Sequence, residues 1–373
     1  MTPRENLLRI FRHEMPEWIP LCGHMDPYNQ PNREGMDPKL AARLGTVRWH
    51  DESTVHFSRN LGLDIMDYCA PPISVAHRRV TLTSEQRGGD TVQVWHTPSG
   101  DLREVVRQCR EDGTSYRVEH MVKSAADLPA LAAVLEDAVI TENPDAMDGI
   151  RRRRRLIGDD GILTCFLAGT PMGMMFRVYS GVETLAYLHA DAPEALADLF
   201  AVMETHYLRQ VAIAARSEAD ALVSIDDTST TAISPAMFEQ YNMECTDGRA
   251  SMCHEAGKLY FHHSCGLIRD LLPLYRRTAM DAVHAFTVPP TGNVTVAEGR
   301  RMLGDRITIL AGVGQLAPAT WDLERVRSGV RQLYEDARPG DHFVVSVAAY
   351  PHRTMQQTRA VVDECRKYHR LGA

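Results

Sequence analysis

Residues 280–313 read MDAVHAFTVPPTGNVTVAEGRRMLGDRITILAGV. MDAVHAF (280–286) and ITILAGV (307–313) are short apolar runs bounded by turn residues, the pattern of buried strands. TVAEGRRML between them reads as a helix. Strand, helix and strand in that order make parallel strands joined by a crossover helix.

The same alternation extends in both directions. Toward the C-terminus, WDLERVRSGVRQLYEDA reads as a helix, HFVVSVA (342–348) as a strand and RTMQQTRAVVDECRKYHR as a closing helix. Toward the N-terminus come GLIRDLLPLYRRT as a helix, KLYFHH (258–263) as a strand and SPAMFEQYNMECTDGRASMCHEAG as a helix. The last begins with Ser234-Pro235, an N-cap followed by proline at the first helical position. ALVSIDD (221–227) and GILTCFLAG (161–169) add two strands, flanking a long helical region. EWIPLCGH (17–24) and LDIMDYCA (63–70) bring the count to eight, the number that closes a (β/α)8 TIM barrel. A doubly wound open sheet would satisfy the same alternation with fewer constraints. Residues 74–120 break the pattern and read as a small antiparallel insertion after the second strand, with turns at GGD and PSGD. No internal repeat or low-complexity linker divides the chain, so residues 1–373 are expected to form one α/β domain.

Composition narrows the function. The 44% hydrophobic and 24% charged residues are ordinary for a globular protein. A net charge of −8 argues against general nucleic-acid binding. The run Arg151–Arg155 reads as a solvated helix end. No apolar stretch of about 18 residues occurs, so no membrane span is expected. MTPRENLLRIFRHE is a charged amphipathic helix without a signal's apolar core. The eight scattered cysteines form no paired framework, and reduced thiols in a cytoplasm are the expectation.

In a barrel of this kind the working groups gather at the C-terminal ends of the strands. Those ends carry Cys22-Gly23-His24-Met25-Asp26, Asp226-Asp227, His263 and Cys265 of FHHSCG (261–266), His284 with Thr287, and Tyr350-Pro351-His352. Strand parity puts Phe261, His263 and Cys265 on one face and His262 on the other. An imidazole and a thiol aimed together are half of a zinc site; a packed, metal-free strand end has the same pattern. Met172, Met174 and Met175 follow strand three, where they either line an apolar cavity or pack in the core. Cys365 sits in the last helix and reads as structural.

Four segments resemble the uroporphyrinogen decarboxylase superfamily. They are LVSIDDTSTTAISPAMFEQYN (222–242), HEAGKLYFHHSCG (254–266), MDAVHAF and GDRITILAGV (304–313). The resemblance implies a (β/α)8 barrel and one of two activities: cofactor-free decarboxylation of a porphyrinogen, or zinc-dependent methyl transfer between a corrinoid protein and a thiol or tetrahydrofolate. The decarboxylase branch holds substrate carboxylates with an arginine motif in the first βα loop. Here that loop reads CGHMDPYNQPNR, with no arginine before Arg33 and with Asp26 to repel a polyacid. The methyltransferase branch has His-x-Cys at the end of strand five, which His263-Ser264-Cys265 match.

That branch draws a third ligand from a cysteine after strand eight, where VVSVAAY places Ala349 instead. His284, on the neighbouring strand, is the expected replacement; Asp226 and the Cys22/His24 pair are alternatives. The resemblance thus implies His263 and Cys265 as zinc ligands, and His284 is expected as the third because its strand is adjacent. Asp226 and His24 are the expected catalytic groups, and Asp26, Asn29, Asp227 and Tyr350 the expected substrate contacts. A small-molecule substrate, and a corrinoid protein as methyl carrier, are the expected partners. Ala349 also leaves open a ligand-binding barrel without catalysis, and a metal-assisted lyase or decarboxylase acting on a small substrate.

Overall fold

The computed structural model describes residues 1–23, 52–109, 115–312, 321–347 and 354–369. His24, Asp26, Asn29, Ala349 and Tyr350 lie outside them. Eight strands form one sheet: β1 (Leu21–Gly23), β2 (Ile65–Cys69), β3 (Gly161–Ala168), β4 (Ala221–Ile225), β5 (Leu259–His263), β6 (Ala282–Phe286), β7 (Thr308–Gly312) and β8 (Phe343–Val347). Their order is β1-β8-β7-β6-β5-β4-β3-β2, every pair parallel. A parallel bridge between Cys22 and Asp64 joins the two ends of that order, so the sheet closes into a barrel rather than remaining open.

Both faces of these strands are buried, which is why they read as continuous apolar runs. Inward-facing Met66, Ile162, Val223, Phe261, Leu310 and Val344 form one cluster. Outward-facing residues such as Leu163, Leu222, Tyr260 and Val283 belong to a second cluster with the surrounding helices. The helix Pro3–Phe11, capped reciprocally by Thr2 and Glu5, places Leu7, Ile10 and Phe11 against the inner cluster. Phe11 meets Phe261 at 4.7 Å between ring centroids. The expected amphipathic N-terminal helix is therefore a plug for one end of the barrel, and burying each of those three side chains is worth about 1.5–3 kcal/mol.

The insertion is longer than expected. Ile73–His77 pairs antiparallel with Ala138–Glu142, beyond the expected end near residue 120, and encloses a four-stranded meander over Thr81–Glu119. The Asp137 carboxylate accepts the backbone N–H groups of Arg78, Arg79 and Val80 at 2.8–2.9 Å, and so fastens the two ends together. The arginine run also corrects the expectation of a solvated helix end. Arg153 is buried and binds Asp67 of β2 and Thr54, whereas Arg151, Arg152 and Arg155 are exposed. No helix among the described residues is long and apolar enough to cross a membrane.

Candidate metal centre

Strand β4 ends at Ile225, paired with His263 of β5. The N–H groups of Asp226 and Asp227 both donate to the His263 carbonyl, at 3.3 and 2.9 Å. Asp227 then adopts φ 52°, in the left-handed region, and strand parity no longer governs where its side chain goes. Its Oδ1 lies 3.0 Å from His263 Nε2 and accepts from Cys265 Sγ at 3.3 Å. The chain turns away directly after Cys265 at Gly266, whose φ of 91° suits glycine alone. One ligand atom from each of Asp227, His263 and Cys265 falls within 4.8 Å of the others, and all three side chains are half-buried.

Arg177, from the π-helical turn Met175–Tyr179, grips the other Asp227 oxygen at 2.5 Å and donates to the Ile225 carbonyl. Burial alone would raise the Asp227 carboxyl, but the hydrogen bond and charge of His263 and the charge of Arg177 hold it well below the usual carboxylate range. Burial, reinforced by the neighbouring Asp227 charge, pushes the Cys265 thiol up to about 12. Metal-free, the site pairs an ionised carboxylate with a protonated thiol.

His284 lies on the same inner face, register partner to His263. Its Nδ1 is 2.7 Å from Nδ1 of His263, and its Nε2 is 2.7 Å from the Tyr68 hydroxyl. It therefore touches His263 on the side opposite Asp227. Asp226 points the other way, into the layer between barrel and helices, and is fully buried. It accepts from the Thr170 N–H and hydroxyl and the Ser224 hydroxyl at 2.5–2.6 Å, and lies 3.3 Å from His262 Nδ1. Burial opposes its charge, yet His262, the Arg249 guanidinium and those hydroxyls keep it below its ordinary value.

His262 faces outward from the barrel, as strand parity expects, and is buried there, its Nε2 at 2.9 Å from the Thr228 hydroxyl. Thr228, Ser264 and Tyr275 complete this second network. Residues 226, 228, 262 and 264 thus anchor the two strand ends from behind, while 227, 263 and 265 face the barrel mouth. Met172 and Met175 are fully buried in the outer core cluster, and Met174 packs against it. Cys365 is buried in the same cluster. Cys22 belongs to the inner core.

Arg177 and Tyr68 were not among the residues expected at the site. Arg177 follows strand three, one helical turn beyond the segment where polar groups are sought. Tyr68 sits mid-strand, where only its parity with Met66 marks it as inward-facing.

The donor set fits zinc. Nitrogen, thiolate and carboxylate are its ordinary ligands, and bonds of about 2.0–2.3 Å require tetrahedral donor–donor edges of roughly 3.3–3.8 Å. The observed 3.0 and 3.3 Å lie within a few tenths of that range. Three protein donors also leave one position for a substrate, as catalytic zinc sites do.

Comparison with known proteins places the chain. A search of curated protein sequences found no match. Among solved structures, a methyltransferase from Methanosarcina mazei superposes with a TM-score of 0.66 at 13% identity, 99% of each chain being covered. That likeness shows a shared fold. A B12-independent methionine synthase from Shewanella sp. W3-18-1 reaches a TM-score of 0.48 at 10% identity, covering 84% of this chain and 83% of its own. The family model described as uroporphyrinogen decarboxylase (URO-D) matches residues 108–368, well over half of the 373 residues. The chain belongs to the uroporphyrinogen decarboxylase family.

Proposed function

We propose that this protein is a zinc-dependent methyltransferase with a small-molecule thiol as methyl acceptor. The methyl donor in this reading is a methylated corrinoid protein or a methylated small molecule. The observation that carries it is the convergence of Asp227, His263 and Cys265 at the barrel mouth. Zinc held by these three donors would lower the pKa of a thiol in the fourth position, making it a thiolate nucleophile at neutral pH.

The chain's own residues prepare that site. Asp227 supplies an oxygen donor and a negative charge, and Arg177 fixes its rotamer from the other oxygen. Cys265 gives up its proton on ligation. Tyr68 and Phe166, stacked at 5.1 Å, wall the barrel interior beside His284.

A thiol acceptor is favoured over tetrahydrofolate because a pterin nitrogen needs a proton donor. Asp227 is held ionised, and His262, Arg249, Ser224 and Thr170 all stabilise the charged form of Asp226. In this reading neither aspartate serves as an acid. Decarboxylation of a porphyrinogen fits less well. It requires several cations for the substrate carboxylates, and Arg177, the guanidinium that the described residues bring to this site, is already engaged by Asp227.

Metal analysis of protein purified without chelators tests the reading. About one zinc per chain is expected, with loss of most of it in His263→Ala and Cys265→Ser. Less than about 0.2 zinc per chain, with no gain on reconstitution, would overturn it.

A further inference from the structure

His263 has two nitrogens, and the fold commits both. Nε2 faces Asp227 Oδ1 at 3.0 Å; Nδ1 faces His284 Nδ1 at 2.7 Å. His284 in turn meets the Tyr68 hydroxyl through Nε2 at 2.7 Å. Strands β2, β5 and β6 supply the three side chains from one inner face, and His284 is buried at 3% exposure. Parity with Ala282 points His284 inward, and a backbone irregularity follows it directly. The β6–β7 register shifts between Val283 and Phe286, and Ala285 takes φ 64°. That bulge turns Phe286 into the outer core cluster.

With both rings neutral and Asp227 Oδ1 as acceptor, one hydrogen-bond order runs along this chain. An ionised carboxylate only accepts, so with neutral rings Nε2 of His263 carries hydrogen and its Nδ1 is bare. Nδ1 of His284 must then donate to it, and Nε2 of His284 must accept from Tyr68. A metal on Nε2 of His263 requires the reverse order. Nδ1 of His263 then donates to Nδ1 of His284, and Nε2 of His284 donates to the Tyr68 oxygen. The number of hydrogens on the three groups is unchanged. Each ring moves its hydrogen to its other nitrogen, and the Tyr68 hydroxyl turns from donor to acceptor while keeping its own hydrogen.

We infer that His284 and Tyr68 are positioning residues, a tautomer relay that orients the His263 ring and reverses its hydrogen-bond order when Nε2 is ligated. This rests on the zinc site proposed above, and it assigns His284 a place behind the ligand rather than on the metal. A partner on the second nitrogen of a ligating histidine fixes its ring and strengthens its donor atom, and loss of such a partner typically costs about 10–100-fold in metal affinity.

Full-length protein labelled with 15N-histidine provides the test. In the metal-free protein, long-range 1H–15N spectra should show His263 protonated at Nε2 and His284 at Nδ1; adding zinc should move both protons to the other nitrogen. His284→Leu should weaken zinc binding about 10–100-fold. His284→Gln should recover most of that loss, because its amide oxygen accepts the Nδ1 hydrogen. Tyr68→Phe should change the His284 Nε2 shift while the Cys265–cobalt charge-transfer band of cobalt-substituted protein stays in place. If His284→Leu fails to fold, the glutamine and phenylalanine variants still decide the matter.

Unchanged zinc affinity in folded His284→Leu, or tautomers that do not move with zinc, would overturn the relay. Two imidazoles on the metal by X-ray absorption would overturn it as well, making His284 a ligand. The zinc reading fails separately, if wild type binds no zinc or Cys265→Ser binds it as tightly as wild type. Either result removes the relay with it. The relay alone fails when wild type binds zinc, Cys265→Ser does not, and His284→Leu is indistinguishable from wild type.

Discussion

Asp227 leaves β4 with φ 52°, a conformation that aspartate tolerates better than most residues because its short side chain finds local hydrogen bonds. Its neighbour Asp226 keeps the outward parity of the strand and is sealed behind it with Thr170, Ser224 and His262. The two aspartates therefore answer differently to the same substitution. Asp226→Asn disturbs a buried charged network and should cost about 3 kcal/mol in chemical denaturation. Asp227→Asn loosens a half-exposed pair with Arg177 and should cost less than about 1 kcal/mol, while removing most of the bound zinc. Equal stability losses in the two variants would refute this division. Cys265 adds a pH signature. Its thiol, pushed up to about 12 by burial and the Asp227 charge, is protonated at neutral pH. Ligation must therefore expel one proton, so zinc affinity should rise by about a factor of ten per pH unit between pH 6 and 9. Competition titrations against a chelator of known pH dependence would measure that slope.

At the scale of elements, the eight barrel strands were legible in the sequence. Both of their faces are buried, so runs such as GILTCFLAG and ITILAGV are apolar without alternation. The common direction of His263 and Cys265 was legible from strand parity, which here carries on two residues past the end of β5. Asp227 was expected at this end as a substrate contact, but not as a donor beside His263 and Cys265, because its direction is set by one backbone angle beyond the strand. The insertion's far edge was hidden too. Ala138–Glu142 is a strand by virtue of pairing with Ile73–His77, a contact across more than sixty residues that no local pattern announces. The run Arg151–Arg155 misled because composition does not distinguish the arginines that pack inward, Arg153 fully and Arg154 in part, from their exposed neighbours. Arg153 donates to Asp67 Oδ1 and Thr54 Oγ1, both at 2.9 Å, and ties the helix Pro144–Ile157 to β2. Arg153→Ala would strand the buried Asp67 carboxylate and should lower unfolding free energy by about 3–5 kcal/mol. Arg155→Ala, on the exposed face, should fall within about 0.5 kcal/mol of wild type. Urea titration of the pair checks the contrast, and similar values for both would show that the Asp67 pairing contributes little.

The whole molecule is a closed ring packed on both sides, inside against the plug Pro3–Phe11 and outside against its helices. That architecture buries thiols. Burial pushes Cys245, Cys253 and Cys365 up to about 12, as it does Cys265, and Cys22 well above its ordinary value. For Cys165 a hydrogen bond with Cys69 comes first and burial second, with the same direction. An unfolded thiol titrates near 8.5, so below that pH both states hold these protons and the thiols leave stability unchanged. Above it the unfolded chain loses them first, the native state binds more protons, and stability falls with rising pH. Each buried thiol removes up to about 1.4 kcal/mol per pH unit in that interval. Buried Tyr68, Tyr260 and Tyr334, raised well above their ordinary values by burial, add the same trend above about pH 10. The melting temperature of metal-free protein should therefore be level from pH 7 to about 8, decline through pH 9 and fall more steeply toward 10.5. Scanning calorimetry across that range measures it directly. Replacing Cys253 and Cys365 by alanine should flatten the decline between pH 8.5 and 10 even though each change lowers the melting temperature at pH 7 by opening a small cavity. A decline of unchanged slope in that double variant would show that alkaline loss of stability arises elsewhere than in the buried thiols.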